Sequence, residues 1–133
     1  MCRSWFSKAP TVEKPSPKIR ITPEQADLII KAIQKIQGFE DCFIVGVSKT
    51  NSMEPTIDDG MYLILQPVNF NDLIVGDIIM YEHPDFNQGN PVLHRIVDKA
   101  NGMFETKGDN NARNDPVKIG QEHIKGIWRI TIA

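Results

Sequence analysis

A mostly β domain (α+β in the wider sense), built as a folded β-sheet or partly open barrel with one leading amphipathic helix, is the fold class this sequence predicts. Three observations predict it. Residues 21–38 carry helical periodicity between a start signal and a stop signal. From residue 40 onward the pattern changes to short apolar segments separated by turn-formers. Asn101-Gly102, between "HRIVDKA" and "MFETK", is a strong signal for a two-residue hairpin loop.

Residues 1–20 place Pro10, Pro15 and Pro17 among lysines, serines and threonines, a composition that buries no core and reads as a flexible leader. Trp5 and Phe6, flanked by Arg3 and Lys8, offer a point of peripheral membrane or partner contact; a disordered tail is the plainer reading. In "ITPEQADLIIKAIQKIQG", Thr22 is an N-cap, Pro23 fits the first helical position and Gln25 sits where a capping box wants its acceptor. Leu28, Ile29, Ala32, Ile33 and Ile36 form the expected apolar face and Gly38 the stop, giving one helix of about four turns over 21–38. Its polar face is mixed, not strongly basic, so packing on the domain is favoured over lying in a membrane surface. Strands are expected near 42–48, 61–66, 77–82, 91–98, 102–107 and 124–132, and no internal repeat is seen.

At 133 residues the chain suits a single domain with one hydrophobic core. A formal charge of −2 gives no electrostatic case for a nucleic-acid partner. Cys2 and Cys42 form no CxxC pair and imply no disulfide framework; Cys42 reads as a small core residue and Cys2 as a tail thiol. No apolar run approaches the ~18 residues of a membrane span, and "MCRSWFSKAP" lacks the apolar middle of a secretory signal. The expected location is cytoplasmic or peripheral to a membrane. Neither HExxH nor clustered Cys/His spacing appears, so no cofactor and no metal are expected.

Three segments carry candidate chemistry. In "KTNSMEPTIDDG", Pro55 removes an amide donor and biases Glu54 away from helix, so the chain bends just after Ser52 and can hold its hydroxyl outward. Turn serines are common, so on this pattern alone an ordinary turn residue is the favoured reading. In "PVLHRIVD", strand alternation sets Val92, His94 and Ile96 on one face. An imidazole between two β-branched neighbours is partly desolvated, which suits a base near neutral pH; a core histidine bonded to backbone is the competing reading. His83 and His123 read as surface residues. "ETKGDNNARNDPVKIG" carries Asp109 and Asp115, either self-capping a solvated loop or orienting His94.

Taken together, "NSMEPTIDDG", "GDIIMYEHP" with "VLHRIVD", and "FETKGDNNARNDP" resemble the type I signal peptidases, in the archaeal and endoplasmic-reticulum branch, over roughly residues 42–130. The resemblance implies a signal-peptidase/repressor-protease-like fold, with 39–133 as the catalytic β domain. It implies Ser52 as nucleophile, His94 as general base where the bacterial branch uses lysine, and Asp115 as the orienting carboxylate. Asp109 is then a supporting loop carboxylate, and Thr50 with the Ser52 backbone N–H forms the oxyanion hole. The chain departs from the family at Thr50-Asn51, where Ser-Gly is usual, and at Asn114, where an acidic residue is frequent. Asn51 tolerates left-handed backbone angles, so the turn can survive. Against this resemblance, the leader and amphipathic helix are expected to occupy the place of the family's membrane anchor.

The implied partner is a protein or peptide substrate bound as an extended strand, with small side chains near the scissile bond. Two other functions compete. A self-cleaving repressor- or mutagenesis-type regulator cuts at Ala-Gly or Cys-Gly in its leading segment, and residues 1–45 hold neither dipeptide. A non-catalytic binding module on the same fold has no physical need for a base and a carboxylate suited to catalysis.

Overall fold

A computed structural model of the chain describes residues 20–133. The leader with Cys2, Trp5 and Phe6 lies outside the described residues, except Arg20. The fold is mostly β: helix α1 (Pro23–Ile33) precedes six strands, β1 (Phe43–Gly46), β2 (Tyr62–Gln66), β3 (Ile78–Tyr81), β4 (Val92–Ala100), β5 (Met103–Lys107) and β6 (Ile124–Ile132). They form one open sheet in the order β1-β2-β6-β3-β4-β5, with every neighbouring pair antiparallel. All six strands lie where the alternation pattern predicts them.

Helix α1 starts as its sequence dictates. The Thr22 hydroxyl accepts from the Gln25 N–H, the Gln25 side chain accepts from the Thr22 N–H, and Pro23 opens the first turn. Two expectations need correction. The helix ends at Ile33 after 11 residues, about three turns, and the chain reaches Gly38 through further turns. The face it buries is Ala26 and Ile30, while Leu28 and Ile36 are exposed. Ile30 and Ile33 meet Cys42, just before β1, and Ile44 and Ile64 of the sheet; Ala26, four positions before Ile30, is buried on the same row. Docking on so narrow a contact selects one row and leaves the rest of the apolar residues outside.

Strand alternation divides the remaining core between the two faces of the sheet. Ile79, Tyr81, Val92, Ile96 and Phe104 pack with Leu73 and Ile119 on one side. Leu63, Leu65 and Ile78 pack with Met53 and Ile57 on the other. Nine-residue β6 bridges β2 to β3, and its partners' registers shift between Ile64 and Leu65 and between Met80 and Tyr81. Such irregularities bend a sheet. The β4–β5 hairpin turns at Asn101 (φ 55°) and Gly102 (φ 76°) with Ala100 opposite Met103, as the Asn-Gly pair predicts.

Candidate active site

Ser52 sits in the turn that leaves β1 and returns at β2. Asn51 before it is left-handed (φ 63°), a conformation that asparagine tolerates. Met53 after it is buried with Ile57, and the Ile57 N–H donates to the Met53 carbonyl, closing the turn. One apolar anchor therefore points inward while the serine hydroxyl is turned toward His94.

His94 lies on the face of β4 that the alternation predicts, buried between Val92 and Ile96. Its Nε2 is 3.0 Å from Ser52 Oγ. Its Nδ1 is 2.7 Å from Asp115 Oδ2. The structure thus brings Ser52, His94 and Asp115 into one hydrogen-bonded chain.

The ionisation of Asp115 fixes the direction of that chain. Burial pushes its carboxyl up, but hydrogen bonds from His94, Thr106 and Tyr81 together outweigh burial and hold it below the usual carboxylate range. An ionised carboxylate only accepts, so His94 Nδ1 carries the hydrogen in that bond. In the neutral ring, Nε2 then presents its lone pair to the Ser52 hydroxyl, the tautomer a general base requires.

Two further hydroxyls meet Asp115. Tyr81 and Thr106 each donate to the same Oδ2 at 2.6 Å. Neither was singled out from sequence. The available signal was tyrosine at an inward position of a buried strand, since a buried phenol needs a partner.

The second aspartate has a different place. Asp109 accepts from Arg95 Nε at 2.9 Å and Arg95 Nη2 at 2.8 Å, and from the Thr56 hydroxyl at 2.7 Å. It joins the loop after β5 to the residue following His94 and to the Ser52 turn. The Arg95 guanidinium holds its carboxyl below the usual range against the opposing effect of burial. The same loop is sewn to the serine turn by the Asn110 N–H on the Ser52 carbonyl and the Asn110 side chain on the Asn51 carbonyl, at 2.8 and 3.0 Å. Gly108 makes this approach fit: a Cβ there would stand 2.6 Å from the Ser52 carbonyl oxygen and 2.9 Å from His94 Nε2.

Thr50 Oγ1 is 3.2 Å from Ser52 Oγ and 3.5 Å from the Ser52 nitrogen. The second contact is at the outer limit for the Ser52 N–H donating to the Thr50 oxygen, and in the first either hydroxyl can be the donor. A cleft of about 830 Å³ opens in front of them, with Val45, Val47, Leu63, Met80 and Leu93 among its apolar lining residues.

His83 and His123 stand apart from this site and correct the surface reading. Both are half-buried, and their rings stack at 4.3 Å with each Nδ1 accepting a backbone N–H. Among the described residues, Glu54, Asp58 and Asp59 bring carboxylate oxygens within 4.8 Å of one another on the turn after Ser52. The Ser52–His94–Asp115 chain uses none of them.

No family model matches the chain. Curated relatives do. Signal peptidase I W of Bacillus subtilis is 31% identical over 84 residues, 59% of this chain and 43% of that protein. The signal peptidase complex catalytic subunit SEC11 of Zygosaccharomyces rouxii is 36% identical over 80 residues, 56% of this chain and 46% of its own length. SEC11 of Lachancea thermotolerans is 42% identical over 73 residues, 50% and 41% of the two chains.

The chain is related to the type I signal peptidases.

It spans less than half the length of these signal peptidases. No helix among the described residues is long and apolar enough to cross a membrane.

Proposed function

We propose that this protein is a serine endopeptidase of the signal-peptidase type, cutting an extended segment of a preprotein or another specific protein. The observation that carries the reading is the hydrogen-bonded order Ser52 Oγ, His94 Nε2, His94 Nδ1, Asp115 Oδ2, with separations of 3.0 and 2.7 Å. Kinship with signal peptidases over about half the chain supports it.

In this mechanism Ser52 Oγ attacks the scissile carbonyl as His94 Nε2 takes its proton. The carbonyl oxygen gains the electron pair and is met by the Ser52 N–H and the Thr50 hydroxyl. Each such donor contributes ~2.7–4 kcal/mol at this stage. Collapse breaks the C–N bond, and His94 returns the proton to the leaving amine. Water then attacks the acyl-serine with His94 again as base, releasing the acid and restoring Ser52. Asp115 keeps the ring aimed and stabilises the imidazolium.

The substrate strand has a docking edge. β1 is the terminal strand of the sheet, and its Val45 and Gly46, followed by Val47 and Ser48, line the cleft. An extended peptide can bond to that edge while alternate side chains enter the apolar lining.

Incubation with a peptide carrying small residues before the cut tests the reading. Wild type cleaves at one bond, whereas Ser52→Ala and His94→Ala do not. Cleavage that survives both substitutions overturns it.

A further inference from the structure

Three donors converge on a single oxygen. Asp115 Oδ2 receives His94 Nδ1 at 2.7 Å, the Tyr81 phenol at 2.6 Å and the Thr106 hydroxyl at 2.6 Å. The three come from three neighbouring strands, β4, β3 and β5. Thr106 also lies 3.4 Å from the Tyr81 oxygen. A threonine hydroxyl has one hydrogen, and the much shorter Asp115 contact takes it. Tyr81 and Thr106 are fully buried, Asp115 and His94 nearly so.

We propose that Tyr81 and Thr106 are positioning residues whose hydroxyls set both the aim of the Asp115 carboxylate and the charge it presents to His94. The inference rests on the peptidase reading for its consequence in turnover. Its physical content, a carboxylate shared among three donors, stands on the geometry.

The argument is electrostatic. A carboxylate oxygen that accepts two short hydroxyl bonds has part of its negative charge neutralised by them. It therefore attracts a protonated imidazole less strongly than a carboxylate with His94 as sole donor. Removing one hydroxyl concentrates charge against the ring and favours its protonated form. A protonated His94 cannot accept the Ser52 proton, so more of the enzyme is inactive at mildly acidic pH. The aim changes too. The peptide N–H of Asp115 is tied to the Thr106 carbonyl at 2.7 Å, so Thr106 holds this residue by backbone and side chain together.

Tyr81→Phe and Thr106→Val each remove one hydroxyl and keep the side-chain volume. The surrounding charges stay in place: the Arg95–Asp109 pair, Lys107 on the Gly108 and Asn111 carbonyls, the Glu105–Lys118 pair, Arg113, and Asp59 across the cleft. A displacement of titration in these variants therefore reads the missing hydroxyl.

The experiment measures kcat/KM against pH for full-length wild type, Tyr81→Phe, Thr106→Val and Thr106→Ser, with melting temperatures to verify folding. The expected result is an acid limb moved upward by roughly half a pH unit in Tyr81→Phe and Thr106→Val. Thr106→Ser, which keeps the hydroxyl, restores it. A uniform fall at all pH values, or an unmoved limb, overturns the proposal. If Thr106→Val does not fold, Tyr81→Phe, which loses one oxygen, carries the test. If wild type cleaves no peptide, the peptidase reading fails, and the His94 imidazole NMR titration decides this proposal separately. An upward midpoint in Tyr81→Phe supports it; an unchanged midpoint overturns it.

Discussion

Asp115 and Asp109 show how much can hang on a single side chain. They are separated by six positions in one loop, and only their partners distinguish them: Asp115 meets His94, Asp109 meets Arg95 and Thr56. Asp115→Asn removes the charge that stabilises the imidazolium and can reverse the tautomer. A fall in kcat on the order of 10³–10⁴-fold is expected, with KM little changed. Asp109→Asn leaves the His94 contact intact and weakens a partly exposed ion pair. Urea unfolding should read a loss of about 1 kcal/mol, with a much smaller loss of turnover than at Asp115. Equal losses in turnover for the two would contradict these assignments. Gly108 is the third telling residue. Gly108→Ala forces a Cβ into the Ser52 carbonyl, so cleavage should fall even where circular dichroism shows an intact sheet. Sequence spacing brought the family resemblance to these residues, but not to Tyr81 or Thr106. Their role depends on which strands are neighbours; the local pattern signals only that a buried Tyr81 phenol needs some partner, not that the partner is Asp115.

At the scale of elements, legibility followed the range of the interaction. The helix start, the Asn101-Gly102 turn and the alternation of β4 are decided within a few residues, and each was readable. Which row the helix buries depends on its packing against Cys42, Ile44 and Ile64, which lie outside it, and both that row and the helix end were misread. The stacked pair His83 and His123 has the same cause, since β6 returns beside β3 only in the folded sheet. Two substitutions probe the local signals. Thr22→Ala deletes the cap and should cost about 1 kcal/mol in chemical denaturation. Gly102→Ala places a side chain at φ 76°, which should cost ~1–2 kcal/mol. Both lie away from the cleft, so kcat/KM for a peptide should change little.

The whole molecule joins these scales through its sheet order. β1 and β4 bring the serine turn and the histidine to one cleft although two strands, β6 and β3, lie between β2 and β4. That order is non-local and the sequence reading did not supply it, whereas the mostly β class was plain from the strand pattern. Acid stability is a whole-molecule property as well. Asp115 and Asp109 both hold their protons less readily when folded than when unfolded. Below about pH 4 the unfolded chain therefore takes up more protons than the folded one. Their contribution is complete above that value and is lost as pH falls through the folded values. Thermal melts should show a declining Tm below about pH 4, and a shallower decline for Asp109→Asn; an identical decline would contradict the Asp109 part.

The measurement that bears most directly on the account is acid-quenched mass spectrometry of the protein during turnover of an ester analogue of a cleavable peptide. A mass increase equal to the acyl half of the substrate, mapped to Ser52 and missing from Ser52→Ala, is the predicted result. Turnover without an adduct, undiminished in Ser52→Ala, would contradict it.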